Sequence, residues 1–309
     1  MPTGSGRSIF GDFRWLWRTS DTICEGSGLV HLKRRIWFLT AALRSYGALR
    51  PLMHAPAGSG LGRLVGHRPE IVGVAIWPYQ CVTWDAAKRV ARISGHHAIA
   101  DRMGGIVDVP VGRETELLRL DEIREDLSVI LDNPKWFMRE GQIAINLFAG
   151  ETRIYSLSFA LFEQDGALSA FIGGLQGRDI EGALDLYRDL TKAAHGLRPR
   201  DLLIELFQML CRALGVRHIF AVSDRERHHR SPYFGAKARE PMSPDYDAIW
   251  KDRGGVEVDS IWFELPVARR QRSIEEIPAK KRAMYRRRYE MLERIEEDVI
   301  RRCEQARET

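Results

Sequence analysis

Residues 143–177 read IAINLFAGETRIYSLSFALFEQDGALSAFIGGLQG, three strand-like runs joined by two turn signals. The run 143–149 is apolar, and Glu151-Thr152 makes a tight turn after Gly150. In the second run Ile154, Ser156, Ser158 and Ala160 alternate with Tyr155, Leu157, Phe159 and Leu161. A period of two belongs to a strand with one better-buried face. Gln164-Asp165-Gly166 is a hairpin signal, because glycine accepts the positive φ that such a turn demands. The third run leaves through Gly173-Gly174-Leu175-Gln176-Gly177, read as a glycine-rich turn. Three runs in this order predict an antiparallel meander.

Downstream, a helix is expected over about 180–194 and a second over 199–214. The second opens at Gly196-Leu197-Arg198-Pro199-Arg200-Asp201, with proline where its missing N–H costs nothing. It feeds a strand at 218–223, HIFAVS. Upstream, 1–28 reads as a flexible leader with glycine and serine at both ends, 31–49 as a helix, 51–66 as a loop and 71–76 as a short strand. Thr83-Trp84-Asp85 starts a helix that runs to His97, and 127–131 is a strand. Beyond an irregular stretch to Pro244 come a short helix at 245–250, a strand at 261–265 and a long charged helix over 275–304. The class is α+β: a mainly antiparallel sheet with flanking helices. The expected division is a leader (1–28), a helical N-terminal region (29–130), an α/β core (131–270) and a basic amphipathic C-terminal helix (271–309).

The 309 residues are enough to bury a sizeable core. A net charge of +5 admits anionic partners such as phosphates, carrier proteins or lipid, or simply a solvated basic surface. Cys24, Cys81, Cys211 and Cys303 are far apart, so neither a zinc knuckle nor a CxxC redox pair is visible and no metal site is expected. Reduced thiols and a cytoplasmic address follow as the default. Arg7, Arg14 and Arg18 interrupt the aromatics of the first twenty residues, which is not the pattern of a secretory signal. A bilayer span needs about 20 mostly apolar residues, and none is present; peripheral attachment at an inner membrane stays open.

No HExxH, nucleophile elbow or Walker sequence occurs, which removes metalloprotease, serine-hydrolase and NTPase readings. What stands out is the helix start at 197–201. The first amides of a helix lack an intrahelical acceptor and the dipole favours an anion there; Arg198 and Arg200 strengthen a phosphate site. The alternative is that Pro199 and Asp201 merely open a core helix. Gly177 and its neighbouring glycines allow close approach of a ligand, or mark a strand end, and Gln176 is the polar candidate among them. His228 follows the strand ending at Ser223, where loop residues reach a cleft. It is a candidate base with Glu140, whose commoner fate at a strand start is a solvated charge. His96 and His97 are adjacent on a helix and make a poor bidentate metal site. The basic run 280–289 serves nucleic acid, anionic lipid or an acidic carrier protein, or else pairs its own charges with the acids that follow. Nothing lifts the nucleic-acid case.

The order meander, basic helix start, strand is similar to acyl-CoA N-acyltransferases of the GNAT type. In those proteins a meander strand delivers the chain to a phosphate-binding helix start, the next strand splays away and the acyl carrier lies in the gap. The departure is that Arg198 is followed by Pro199-Arg200-Asp201, not by the Gln/Arg-x-x-Gly-x-Gly/Ala signature, and an extra helix intervenes. The resemblance implies an acyl-CoA or acyl-carrier-protein donor held by Gln176, Gly177, Arg198 and Arg200. Ser223 would line the cleft, and His228 or Glu140 would take a proton from a peptide or envelope-related acceptor.

The chain also resembles the bacterial VirK/YbjX family. The carrying residues are Pro78-Tyr79 with Trp84 and Arg89, Arg139-Glu140-Gly141, Tyr155 with Phe159, and the 172–177 stretch. They continue with His195-Gly196-Leu197-Arg198-Pro199, Ala221-Val222-Ser223 with His228, Tyr246-Asp247 with Trp250, and Glu276-Ile277-Pro278 before the basic run. That resemblance implies a role in virulence, envelope integrity and antimicrobial-peptide resistance, and carries no reaction with it. It leaves open a non-enzymatic factor that binds an anionic membrane surface or a protein through the basic C-terminal helix.

Overall fold

A computed structural model describes residues 8–179, 181–240, 244–259 and 261–308. The chain divides into two compact units, Met1–Arg102 with Arg225–Pro244, and Met103–Asp224 with Asp245–Thr309.

The first unit is helical. Helix α1 (Ile9–Ile23) occupies most of the expected leader, the Ser8 hydroxyl accepting the Gly11 N–H at its start. Leu16 and Ile23 bury one side of it, and apolar burial, not the interspersed arginines, decides its state. Helices α2 (Gly28–Arg44), α3 (Tyr46–Met53), α4 (Gly60–His67) and α5 (Ala86–Met103) follow. Buried Asp12 receives the Tyr46 hydroxyl at 2.7 Å and pairs with His54 Nε2 at 2.9 Å. The strand expected at 71–76 is instead a 3-10 helix, Pro69–Ala75. Pro69 presets its first turn, and Gly73 lies flat on the Trp77 ring. The 225–244 segment is tied in through Glu226, which accepts the Thr83 hydroxyl at 2.7 Å.

The second unit holds the sheet. Its strands are β1 (Thr115–Arg119), β2 (Leu127–Asp132), β3 (Ile143–Ala149), β4 (Thr152–Gln164), β5 (Ala167–Gly177), β6 (His218–Val222), β7 (Val256–Val258) and β8 (Trp262–Leu265). They lie in the order β1-β2-β3-β4-β5-β6-β8-β7. Every pairing is antiparallel except β5–β6. A parallel pair needs a long crossover. Helices α6 (Ala183–Ala193) and α7 (Pro199–Leu214) supply it; Ile180, the expected start of α6, lies outside the described residues. Helices α8 (Tyr246–Asp252) and α9 (Arg282–Glu308) complete the unit. The α+β class and the mainly antiparallel sheet are as the sequence predicts.

The glycine-rich 173–177 segment is not a turn. It continues β5 alongside β4 to Gly177, with one register shift: Ser158 faces Gly174 and Phe159 faces Ile172, so Gly173 is the extra residue. The apolar side of the meander (Ile143, Ile145, Leu157, Phe159, Leu175) is the α7 side, where Phe159 meets Phe207 with ring centroids 4.9 Å apart. The other side carries Asn146, Ser156, Ser158 and Gln176.

Candidate functional site

The parallel partnership of β5 and β6 is short. It runs from Ser169–His218 to Ile172–Ala221, after which β5 continues five residues to Gly177 while β6 ends at Val222. Beyond Ile172, among the described residues, β5 has no strand neighbour on that side. The Tyr246 hydroxyl fills in at Leu175, accepting its N–H at 2.6 Å and donating to its C=O at 2.8 Å. The two strands therefore diverge at the Gly173 bulge, and the N-terminus of α8 stands in the opening.

On the α7 side of that strand end lies a cavity of about 680 Å³. Five cations line it: Arg188 and Lys192 of α6, Arg198 and Arg200 at the start of α7, and Arg287 of α9. Tyr155 and Tyr187 form one wall. Burial raises both phenols above their ordinary value, so each is a neutral hydrogen-bonding group at neutral pH. The N-cap of α7 is Arg198, in extended conformation, and among the described residues no side chain caps the helix. Serine, threonine, aspartate or asparagine is the preferred residue there; a cation instead leaves the first amides for an anion brought from outside. Arg200 is partly engaged, its Nε and an Nη both 3.1 Å from Asp201 Oδ1.

Two glycines shape this floor. A Cβ on Gly177 would stand 2.7 Å from Tyr155 Cζ, so the phenol ring lies flat on the strand. Gly196 has φ +80°, and a Cβ there would stand 2.9 Å from an Arg288 guanidinium nitrogen. That guanidinium donates to the His195 carbonyl at 3.0 and 2.7 Å and holds the loop between α6 and α7.

On the opposite side of the sheet is a smaller cavity of about 270 Å³, reached by Trp136, Arg153, Ser156, Gln176 and Gly177. Beneath it a polar network runs through the sheet. Arg153 donates to Asp132 at 2.8 Å and to Asn146 at 2.5 Å, and Asn146 donates to Asp132 at 2.8 Å. Glu140 is buried beside it, with Gln176 Nε2 at 3.0 and 3.1 Å from its two carboxylate oxygens. It is not the solvated charge expected of a strand start, because the amide of Gln176 satisfies it.

Within the sheet unit the sequence-derived candidates fall in two places. Arg198 and Arg200 share the large cavity, whereas Gln176 and Glu140 belong together on the other side, with Gly177 between the two. Ser223 follows β6 and is buried; among the described residues its hydroxyl has no hydrogen-bond partner. His228 is buried in the first unit, its ring 3.7 Å centroid to centroid from that of His229. Sequence reasoning missed Tyr155, Tyr187, Arg188, Lys192 and Arg287, and the Asp132–Asn146–Arg153 network. One signal was available: Arg188 and Lys192 are four apart and share a helix face.

Among the described residues no helix is long and apolar enough to cross a membrane. No solved structure matches the chain. Among known sequences, it is 39% identical over 140 residues to the uncharacterized protein YbjX of Escherichia coli, a stretch covering 45% of this chain and 42% of that one. An uncharacterized protein of Haemophilus influenzae is 30% identical over 223 residues, 70% of this chain and 72% of its own length. Membrane protein LapB of Mannheimia haemolytica is 28% identical over 112 residues, 36% of this chain and 48% of its own length. The DUF535 family model, described as a protein of unknown function, matches residues 28–301. The chain therefore belongs to the DUF535 family, which includes the VirK/YbjX proteins that its motifs resemble.

Proposed function

We propose that the sheet unit is a GNAT-like acyltransferase module that takes an acyl-CoA or acyl-carrier protein as donor and a peptide or envelope-related acceptor. The observation that carries this is the cation-lined cavity at the uncapped start of α7. Its position is beside Tyr155 of β4 and the start of α7; the opening between β5 and β6, where the resemblance puts an acyl carrier, holds Tyr246 of α8 instead, which is a departure. Arg198 and Arg200 with the first α7 amides hold phosphate, and Lys192 and Arg287 add charge. The missing glycine signature and the interposed α6 are departures. Because α6 itself brings Arg188 and Lys192, side-chain cations take over part of what a glycine-rich loop does with amides.

The reaction in this reading is direct acyl transfer. The acceptor amine or hydroxyl attacks the thioester carbonyl, the carbon–sulfur bond breaks and thiolate leaves, while the acceptor's proton passes to a base. In this reading Glu140, with Gln176 at 3.0 Å, is that base; both lie on the sheet face opposite the cation-lined cavity, so the acyl end of the donor must pass the edge of β5 to reach them, and buried Ser223 follows β6. Placing the two reactants together is itself a large part of the rate gain.

The competing role of the C-terminal basic run as a membrane adaptor is weakened by where its cations go. Arg288 is spent on the His195 carbonyl, Arg282 on the Ile277 carbonyl, and Arg287 faces the cavity. Thermal denaturation with CoA tests the proposal. Saturating CoA raises the melting temperature of the wild-type protein, and Arg198→Ala with Lys192→Ala abolishes the rise. Equal melting with and without CoA, in both proteins, overturns it.

A further inference from the structure

Fourteen large apolar side chains are markedly exposed among the described residues, and ten of them fall in residues 9–43. On α1 these are Ile9, Phe10, Phe13 and Trp17, and on α2 they include Leu29, Ile36 and Trp37. The exposure is not marginal: 88% for Phe10, 76% for Leu29 and 73% for Ile9. Monomeric soluble proteins seldom leave apolar side chains clustered this way without a surface to meet.

The pattern around each helix is graded. At 100° per residue, α1 has its buried positions (Asp12, Leu16, Thr19, Ile23) on one arc, the exposed Ile9, Phe10, Phe13 and Trp17 on the next, and Asp21, which pairs with Arg35 and His31, then Arg14 and Arg18 beyond them. Helix α2 repeats the order: buried Phe38, Leu39 and Ala42, then exposed Leu29, Leu32, Ile36 and Leu43, then Lys33 and Arg44. Cations flanking an exposed apolar stripe are placed to keep their charges at the headgroup level while the stripe enters the acyl boundary. Arg35 braces the two helices, donating to the Trp17 carbonyl at 2.7 Å and lying 4.1 Å over its ring.

Charge selects the occupant. Residues 8–53 contain seven cations (Arg14, Arg18, Lys33, Arg34, Arg35, Arg44, Arg50) against Asp12, Asp21 and Glu25, a net +4 of the whole chain's +5. Asp12 is buried and held by Tyr46 and His54, so it offers little negative charge to the surface. From the coincidence of clustered aromatic exposure and concentrated positive charge, we infer that the α1–α2 pair is an interfacial docking surface for an anionic lipid bilayer. The helices lie in the headgroup plane and do not span. This surface is distinct from the basic run of the C-terminal helix and does not depend on the acyltransferase reading.

The test is co-sedimentation of the full chain with vesicles of phosphatidylcholine containing a quarter phosphatidylglycerol, against pure phosphatidylcholine, with light scattering on the free protein. The protein is expected to partition at least tenfold more strongly onto the anionic vesicles. Phe10→Asp with Leu29→Asp should reduce partitioning at least tenfold without altering the far-ultraviolet circular dichroism. Arg14→Glu with Arg18→Glu should abolish the preference for anionic lipid, and Lys281→Glu with Arg286→Glu should leave binding unchanged. Three results would each overturn the inference: no wild-type partitioning, partitioning that ignores the α1 and α2 substitutions, or a wild-type dimer that Phe10→Asp converts to monomer.

Discussion

Replacing Tyr246 with phenylalanine is a sharp probe of how β5 and β6 diverge. The Tyr246 hydroxyl serves both the N–H and the C=O of Leu175, at 2.6 and 2.8 Å, in a place where both residues are fully buried. The ring stays packed in the variant, since it meets the Trp250 ring edge-on with centroids 5.5 Å apart. What is lost is the partner of two buried backbone groups. Each unsatisfied group costs about 1–3 kcal/mol, so Tyr246→Phe should destabilise the sheet unit by about 2–6 kcal/mol. For a folding unit of this size, roughly 2–4 °C of melting temperature goes with each kcal/mol, which places the fall at about 4–24 °C. Urea denaturation followed by tryptophan fluorescence measures it, and amide exchange should quicken at Leu175 more than at Ile172, which keeps its strand partner. A loss below about 0.5 kcal/mol, with Leu175 exchange unchanged, would refute the reasoning and show that another strand or side chain satisfies this stretch of β5.

Three other outcomes follow. Burial, and secondarily His97, holds the His96 imidazole well below its ordinary value of 6.5, so it folds neutral. The unfolded chain then binds the extra proton: stability is complete above about pH 6.5 and falls below it by up to ~1.4 kcal/mol per pH unit, a slope that His96→Gln should flatten in pH-dependent melts. All four cysteines are buried and burial raises each thiol, Cys303 up to about 11, so at pH 8 an aromatic disulfide reagent should titrate four thiols in guanidinium and almost none in native buffer. Gly177→Val should displace the Tyr155 ring, weakening CoA binding at least tenfold in calorimetry while the protein stays folded, because the added carbons fall on the phenol and not on backbone.

The meander was legible because each of its signals is local. Alternation in 154–161 marks β4, and Asp165-Gly166 turns the chain with both φ angles positive, at 51° and 77°. Pro199 starts α7 as its missing N–H requires. The 173–177 segment was misread because glycine composition signals a turn and a bulge equally well. Its strand state rests on β4 being long enough to pair with all of it. The bulge also inverts the alternation, so Ile172 shares a side with Leu175 and Gly177, and Gln176 falls opposite. Counting along the sequence without that extra residue assigns Gln176 to the wrong face. The run 71–76 looked like a strand because of its β-branched residues, yet propensity over so short a span yields to the turn set by Pro69. The large cavity was the least legible feature. Tyr155, Arg198 and Arg287 come from β4, α7 and α9, and only the fold brings them together.

The most direct measurement is the amide spectrum of isotope-labelled protein titrated with adenosine 3′,5′-bisphosphate, the phosphate-rich end of CoA without its arm. Arg200 and Asp201, whose backbone N–H groups begin α7, should shift first and saturate together with the tyrosine signals of Tyr155 and Tyr187. Shifts confined to other parts of the chain, or none at millimolar ligand, would contradict the assignment of this crevice to a phosphate-bearing donor.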